Sequence, residues 1–174
     1  MKIVVCPLRR VPEIVTTHQP VALISLLDPA SEFPTAAHPV ARHLRVEIND
    51  IVEPEHGFTH PDPRHAREIL RFLEAWRPDE EALLVHCYAG ISRSTATAFT
   101  AACLHNPGVD EAAIALALRA ASPTATPNRR LVALADAELG RGGRMVRAVE
   151  AIGKGLPTAI LWEAEPFHFP ARHV

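Results

Sequence analysis

Short apolar runs that alternate with helical segments constrain this fold more than any other feature of the chain. Four runs of β-branched or leucine-rich residues, each ending at proline, aspartate or glycine signals, are typical of buried strands, and they span residues 3–6, 21–27, 43–48 and 82–86. The intervening segments 11–18 and 64–77 are interpreted as helices, the second because its apolar side chains recur at helical spacing. This alternation predicts an α/β fold with a central, mainly parallel sheet of four to five strands flanked by helices.

Only helices are predicted after residue 93. The segment 93–105 is rich in alanine and threonine and stops before an Asn-Pro-Gly sequence, a strong helix terminator. Asp110 and Asn128 are predicted to cap the next two helices, and a last helix is predicted over residues 144–152. Because no internal repeat or linker divides the chain, we expect a single domain over residues 1–174.

The charge and the cysteine content argue against several classes of protein. The net charge of −2 gives no signature of a nucleic-acid partner or of an anionic membrane surface. Three cysteines without close pair spacing form neither a disulfide framework nor a zinc pattern, which favours a reducing, cytoplasmic location. The first apolar run is too short for a signal peptide, and no stretch approaches the roughly 20 apolar residues that cross a bilayer. We therefore expect no nucleic-acid partner and no membrane partner, whereas the oligomeric state stays open.

The chemistry of the chain is concentrated between the fourth apolar run, residues 82–86, and the helix that follows it. The strand predicted to end at His86 runs directly into Cys87, and a helix is predicted to begin at Arg93. A tight strand-to-helix loop points several backbone N–H groups and the positive end of the helix dipole at one spot, where an oxyanion is stabilised. The arginine adds a planar fork that holds two phosphate oxygens. The predicted phosphate-binding residues of this segment, called here the cysteine loop (residues 87–93), are Tyr88, Ala89, Gly90, Ile91, Ser92 and Arg93.

Further roles are expected for residues within the cysteine loop and directly beside it. The positive surroundings favour the thiolate of Cys87, and a thiolate that faces a bound phosphate is an in-line nucleophile. Gly90 allows the backbone to approach without a Cβ in the way. Ser94 is predicted to donate a hydrogen bond to the sulfur and to ease its departure in a second step. His86 is predicted to support the loop from behind, without a direct chemical role.

Cleavage of a phosphate ester also requires a proton for the leaving oxygen, and a carboxylic acid is its usual source. The candidates upstream of the loop are Asp28, Asp50, Asp62 and Asp79. In a parallel sheet the chemistry gathers at the carboxyl ends of the strands. Asp79 precedes a strand and should lie at the opposite edge, whereas Asp28 and Asp50 follow strands and Asp62 lies in a loop. Three candidates therefore remain on the residues alone.

The order His86, Cys87, five residues, Arg93 and Ser94 resembles the signature of protein tyrosine phosphatases and dual-specificity phosphatases. The wider run LLVHCYAGISRSTATA is similar to that of compact bacterial members, and weaker resemblance extends over residues 21–50 and 127–134. The resemblance implies an α/β fold, hydrolysis of phosphate monoesters through a phosphocysteine, and no metal or other cofactor. It also favours Asp50 as the general acid, with Asp62 as the runner-up. From about residue 140 onward we find no resemblance.

The substrate is the least determined part of the prediction. A phosphorylated protein or a small phosphate ester is expected, and the preference between phosphotyrosine and phosphoserine or phosphothreonine stays open. The cysteine loop contains no lysine, so it gives no positive sign of a phosphoinositide specialist. Rhodanese or arsenate reductase chemistry fits the His-Cys start and the arginine spacing less well. A non-catalytic phosphate-binding module is the other rival.

Other cysteines and histidines are interpreted as structural. Cys6 is expected at the same sheet edge as Cys87 and is taken as a small buried apolar residue, and a protective disulfide with Cys87, known among some relatives, is the alternative. Cys103 is predicted to lie in the core. No metal site is predicted for the three histidines of the proline-rich segment, because no carboxylate or cysteine completes a ligand pattern. They are His56, His60 and His65.

Overall fold

Four parallel strands and one antiparallel strand form the sheet of this protein. The computed structural model describes residues 2–34, 40–158 and 162–174. The strands are β1 (Lys2–Pro7), β2 (Ala22–Leu27), β3 (Arg42–Glu47), β4 (Leu83–Cys87) and β5 (Phe167–Pro170). Their order across the sheet is β3-β2-β4-β1-β5, and β5 runs antiparallel to β1. The predicted α/β fold with a mainly parallel central sheet is therefore confirmed.

Helices cover both faces of this sheet. They are a 3₁₀ turn (Leu8–Arg10), α1 (Val11–His18), α2 (Pro63–Glu74), α3 (Arg93–His105), α4 (Glu111–Ala121), α5 (Arg129–Glu138) and α6 (Arg144–Ile152). On one face α1 buries apolar side chains against β1, β2 and β4, and on the other face α2 to α6 contribute to a larger core. Strands that are covered on both faces read as continuous apolar runs, which explains the sequence pattern. Across the described ranges, no helix is both long enough and apolar enough to cross a membrane.

The predicted elements differ from the structure mainly at their ends. The helix expected over residues 64–77 spans Pro63–Glu74 instead. Its start is displaced because the side chain of Asp62 caps it, accepting hydrogen bonds from the backbone N–H groups of Arg64 (2.8 Å) and His65 (3.4 Å). The strand before the cysteine loop extends to Cys87 rather than His86. The caps predicted at Asp110 and Asn128 are confirmed, since each side chain accepts from a backbone N–H of its own helix.

The last strand corrects the prediction that only helices follow residue 93. In β5, Phe167 and Phe169 are buried while His168 is exposed, so the four residues alternate as a one-sided strand does. The segment is too short to stand out in the sequence, and a proline both precedes and ends it. Phe167 pairs with Val5 of β1. The residues before β5 therefore lie at the carboxyl edge of the sheet, beside the end of β1.

Candidate active site

The cysteine loop is a tight turn from β4 into α3, and its backbone carbonyls face away from its interior. Four of them accept hydrogen bonds from amides outside the loop: Tyr88 from Leu8 (3.0 Å), Ala89 from Ala164 (2.9 Å), Ile91 from Thr126 (2.9 Å) and Ser92 from Asn128 (3.2 Å). The C=O and N–H groups of a trans peptide unit point in opposite directions. Outward carbonyls therefore turn the loop N–H groups inward, at the start of α3, where they form a site for an oxyanion.

Two hydrogen-bond donors meet the sulfur of Cys87 inside this loop. The side chain is buried, with 2% of its surface exposed. The backbone N–H of Gly90 donates to Sγ at 3.3 Å, and Oγ of Ser94 lies 3.2 Å from Sγ. The predicted contact between Ser94 and the sulfur is thus present in the structure.

Gly90 is required by its conformation and by its surroundings. Its φ of +74° lies in the left-handed region, and a Cβ at this position would lie 2.9 Å from the backbone nitrogen of Pro7 and 3.0 Å from the carbonyl carbon of Cys6. These are backbone atoms of β1, which do not move aside as a flexible side chain does. The absence of a Cβ therefore lets the loop rest directly on the end of the neighbouring strand.

The guanidinium of Arg93 is held through Nη1, whereas its Nε has no hydrogen-bond partner among the described residues. Its Nη1 donates to the carbonyl oxygen of Ile48 at 2.6 Å and to Oδ1 of Asp28 at 2.7 Å. Nε is buried and has no hydrogen-bond partner among the described residues. A buried N–H that lacks a partner costs about 1–3 kcal/mol, so this nitrogen marks the edge of the guanidinium that a ligand would satisfy. Asp28, which the sequence left as a possible acid, is found holding the arginine.

His86 connects the loop to a buried polar chain. Its Nε2 lies 2.6 Å from Oγ of Ser25, and the same hydroxyl lies 2.8 Å from Nε2 of His43. Burial lowers the pKa of His86 to about 4 and also lowers that of His43, so both rings are neutral at pH 7. Since the carbonyl oxygen of Cys87 only accepts, Nδ1 of His86 donates to it, at 3.3 Å. His86 therefore supports the backbone of Cys87 rather than its sulfur.

Asp50 lies at the rim of the loop. One carboxylate oxygen, Oδ1, accepts hydrogen bonds from Oγ of Ser92 at 2.6 Å and from Nδ2 of Asn128 at 2.9 Å. Asn128 also caps α5, because its own Oδ1 accepts from the backbone N–H of Leu131 at 3.0 Å. The residue is exposed. The arrangement orients the carboxylate at the loop and leaves Oδ2 without a hydrogen-bond partner among the described residues.

The other two aspartate candidates lie elsewhere. Asp62 caps α2, and its side-chain hydrogen bond with Arg64 lowers its pKa to about 2, which favours the ionised form and not a proton donor. Asp79 pairs with Arg172 at 2.5 Å, beyond the end of β5 and hence at the opposite edge of the sheet. This placement agrees with the reason for which Asp79 was set aside.

Cys6 and Cys87 lie on neighbouring strands but face opposite sides of the sheet. In the register of β1 and β4, Cys6 is opposite His86, and Cys87 is opposite Pro7. Successive side chains of a strand alternate, so Cys6 joins the cluster beneath α1 whereas Cys87 joins the core on the other face. Burial raises the pKa of Cys6 to about 12. The geometry therefore fits the buried apolar role and does not favour the disulfide. Cys103 lies in the core, as predicted.

The proline-rich segment before α2 ends in the cap of that helix. His65 closes the cap of α2, where its Nδ1 accepts a hydrogen bond from the backbone N–H of Asp62 at 3.1 Å. Within residues 2–34, 40–158 and 162–174, no group of three or more histidine, cysteine, aspartate or glutamate side chains is placed to hold a metal ion.

Three contacts of the site escaped the sequence reasoning. Ser25 carried a signal, since a lone hydroxyl within an apolar strand requires a buried partner. Asn128 was interpreted only as a helix cap, although its amide also reaches Asp50. Ala164 gave no signal, because only its backbone N–H takes part.

Comparison with known proteins gives a partial match in sequence. No protein-family model matches the chain. Dual specificity protein phosphatase 15 of Rattus norvegicus is 34% identical over 86 residues, which are 49% of this chain and 34% of that protein. The Homo sapiens protein of the same name is 35% identical over 86 residues, 49% of this chain and 27% of that protein. The match thus spans about a third or less of the length of these curated relatives.

Comparison of structures shows the same fold in three solved phosphatase-like proteins. A crystal structure of DUSP15 is 22% identical, with a TM-score of 0.61, and the match covers 86% of this chain and 90% of that one. A crystal structure of human DUSP28 is 20% identical, with a TM-score of 0.58, and the match covers 86% of this chain and 89% of that one. A human tyrosine phosphatase-like serine/threonine/tyrosine-interacting protein is 16% identical, with a TM-score of 0.62, and the match covers 80% of this chain and 92% of that one. Together, the sequence match, the signature from His86 to Ser94 and this fold support the superfamily of protein tyrosine phosphatases and dual-specificity phosphatases.

Proposed function

We propose that the chain is a cysteine-dependent phosphatase that hydrolyses phosphate monoesters of proteins, either on tyrosine or on tyrosine and serine or threonine. One observation carries this proposal. Arg93, which begins the helix after the cysteine loop, has a buried Nε–H without a hydrogen-bond partner among the described residues, while within the loop the Gly90 N–H donates to the Cys87 sulfur and the Ser94 hydroxyl lies 3.2 Å from it. A cation, inward amides and a sulfur nucleophile at one strand-to-helix turn are the parts that phosphoryl transfer requires.

In the first step the inward N–H groups of the cysteine loop and Arg93 bind the phosphate oxygens. The sulfur of Cys87 attacks phosphorus, so that an S–P bond forms while the P–O bond to the leaving group breaks. Asp50 gives its proton to the departing oxygen, which leaves as an alcohol or a phenol. The product of this step is a phosphocysteine and an ionised Asp50.

In the second step the Asp50 carboxylate takes a proton from water, and the oxygen of that water attacks phosphorus. The S–P bond breaks and inorganic phosphate leaves, while the hydroxyl of Ser94 donates a hydrogen bond to the departing sulfur. The sulfur returns to its ionised state and Asp50 to its protonated state. Each step uses only groups of the chain and water, so the scheme requires no cofactor.

The loop itself supplies most of the acceleration in this scheme. The transferring phosphoryl group carries its charge on three equatorial oxygens, and fixed N–H donors and a guanidinium already point to their positions. The nucleophile must also stay reduced. We therefore propose that the enzyme works in a reducing compartment, the cytoplasm.

The proposal is tested with a panel of phosphate esters. Release of phosphate is measured from phosphotyrosine, phosphoserine and phosphothreonine peptides and from small aryl and alkyl phosphates, with vanadate as inhibitor. The wild type should hydrolyse at least one class, and Cys87→Ser should abolish turnover while it still binds the same peptide. Cys103→Ala, which alters a cysteine remote from the loop, serves as the matched control. Binding without turnover in the wild type would support a phosphate-binding module instead.

A further inference from the structure

The segment that precedes β5 lies against the cysteine loop, although the signature does not include it. This segment, residues 162–166, is called here the C-terminal strap. Its Ala164 is buried, and the backbone N–H of Ala164 donates to the carbonyl oxygen of Ala89 at 2.9 Å. Glu163 is anchored by Arg9 at 2.5 Å, with only 12% of the glutamate side chain exposed. The strap is thus attached both to the loop and to the turn that follows β1.

The peptide unit between Ala89 and Gly90 is held at both ends. Its carbonyl oxygen accepts from Ala164, and its N–H donates to Sγ of Cys87 at 3.3 Å. Because the unit is planar and trans, the direction of its carbonyl determines the direction of its N–H. A hydrogen bond to the carbonyl also polarises the N–H and strengthens it as a donor. The strap therefore acts on the sulfur through a single rigid group.

The preceding peptide unit is braced in the same way from the other side. The carbonyl oxygen of Tyr88 accepts from the backbone N–H of Leu8 at 3.0 Å. Leu8 is the neighbour of Arg9, and Arg9 is the residue that anchors Glu163. The two segments that hold successive loop carbonyls are therefore joined to each other by an ion pair.

We propose that Ala164 of the C-terminal strap is a positioning residue, which aims the Gly90 N–H at the Cys87 sulfur, and that the Arg9–Glu163 pair is its anchor. This inference rests on the proposed role of Cys87 as a nucleophile. It assigns a function to the part of the chain, after about residue 140, in which the sequence alone gave no resemblance to the family.

The first test compares two strap glutamates. Glu163→Ala removes the anchor, whereas Glu165→Ala is the matched control, because Arg10 keeps its shorter contact with Glu13 at 2.8 Å when the 3.4 Å contact with Glu165 is lost. Alkylation of Cys87 by iodoacetamide is measured against pH, together with kcat and KM. For Glu163→Ala we expect the alkylation curve to move to higher pH and kcat to fall about fivefold, as expected for one weakened hydrogen bond, with little change in KM. The control should match the wild type.

The other groups that influence Cys87 are unchanged in both variants, so a shift of the curve reports the strap. These groups are titratable or charged, and they lie on the strand of Cys87 or on the elements near it. They are His86 on β4, Cys6 on β1, Asp28 after β2, Asp50 after β3 and Arg93 on α3.

A second variant removes the donor alone. Ligation of a synthetic C-terminal segment with lactic acid in place of Ala164 replaces the N–H by an ester oxygen and keeps every side chain. The lactate variant should show the same shift of the alkylation curve and the same loss of kcat, even where Glu163→Ala folds poorly. In a separate variant, the reversed pair Arg9→Glu with Glu163→Arg should restore the wild-type alkylation curve. An unchanged alkylation curve and kcat in the lactate variant would overturn the inference. Alkylation does not depend on turnover, so a wild type without activity refutes the proposed function and still leaves the strap testable.

Discussion

Arg93 and Asp28 form an ion pair that orients the guanidinium at the cysteine loop. Nη1 of Arg93 lies 2.7 Å from Oδ1 of Asp28, and the same nitrogen donates to the carbonyl of Ile48 at 2.6 Å. Asp28 follows β2 and Ile48 follows β3, so two neighbouring strand ends hold one edge of the arginine. Nε of the same guanidinium has no hydrogen-bond partner among the described residues, and the proposed function assigns it to the phosphate.

Asp28→Asn should weaken phosphate binding without abolishing the reaction. The ion pair is lost, but Ile48 still holds Nη1, and the Asp28 side chain is 53% exposed, so water screens much of the attraction. We expect kcat/KM to fall about fivefold and the inhibition constant of vanadate to rise by a similar factor. Steady-state kinetics with an aryl phosphate measure both.

The matched control for this change is Asp79→Asn, which removes an exposed ion pair with Arg172 at the opposite edge of the sheet. It should leave kcat/KM and vanadate inhibition unchanged. Equal losses in the two variants would mean that Asp28 acts only through general stability or net charge.

Asp50→Asn should identify the general acid. The amide still fits between Ser92 and Asn128, but it carries no proton for the leaving oxygen, so kcat should fall by about 100-fold or more on an alkyl phosphate or a phosphotyrosine peptide. The loss should be smaller for a nitrophenyl ester, whose leaving group needs little protonation. Asp62→Asn should retain full activity. The opposite result, activity kept in the Asp50 variant and lost in the Asp62 variant, would exchange their roles.

Asp62 should instead contribute to stability in a pH-dependent manner. Its pKa falls from 3.8 to about 2, first because of its side-chain hydrogen bond with Arg64. A carboxyl group with a lowered folded pKa stabilises fully above its unfolded pKa, and the contribution disappears as the pH falls through the folded value. We expect about 1 kcal/mol to be lost between roughly pH 4 and pH 2, less than the full shift implies because the pair lies at the surface.

Urea unfolding as a function of pH measures this contribution. Asp62→Asn should be less stable than the wild type at neutral pH, and the difference should shrink over the same acidic range. A constant difference at all pH values would show that the loss comes from the helix cap and not from the charge of Asp62.

The sequence predicted well where residues that are close together in the chain lie in the fold. His86, Cys87, Arg93 and Ser94 occupy a strand end, a loop and a helix start, and local geometry alone brings them together. Their distant partners were harder to predict. Asp28 lies 65 positions from Arg93, and its role depends on the order of β2 and β4 in the sheet, which the sequence pattern does not determine.

Backbone contacts define the other limit of prediction. Any residue but proline at position 164 offers the same N–H, so nothing in the identity of Ala164 indicates the contact with Ala89. Its position follows from β5, a strand of four residues between prolines. The fold could therefore be predicted in its class and in four of five strands, whereas the strap beside the loop could be found only from the structure.

Gly90→Ala should damage the cysteine loop far more than an alanine at a comparable glycine. A Cβ at residue 90 would lie 2.9 Å from the nitrogen of Pro7 and 3.0 Å from the carbonyl carbon of Cys6, and the φ of +74° adds conformational strain. Gly57 is the matched control, because its φ of +84° imposes a similar strain while nothing lies within 4 Å of the added atom.

The two variants thus separate conformational strain from the close approach of two backbones. In urea unfolding, Gly57→Ala should lose about 1 kcal/mol, whereas Gly90→Ala should lose about 2 kcal/mol or more, since the loop must also move off the end of β1. That movement withdraws the residue 90 N–H from the Cys87 sulfur, so kcat should fall in Gly90→Ala and stay unchanged in Gly57→Ala. Equal losses of stability and activity in both variants would contradict the packing of the loop against β1 and leave strain alone as the cause.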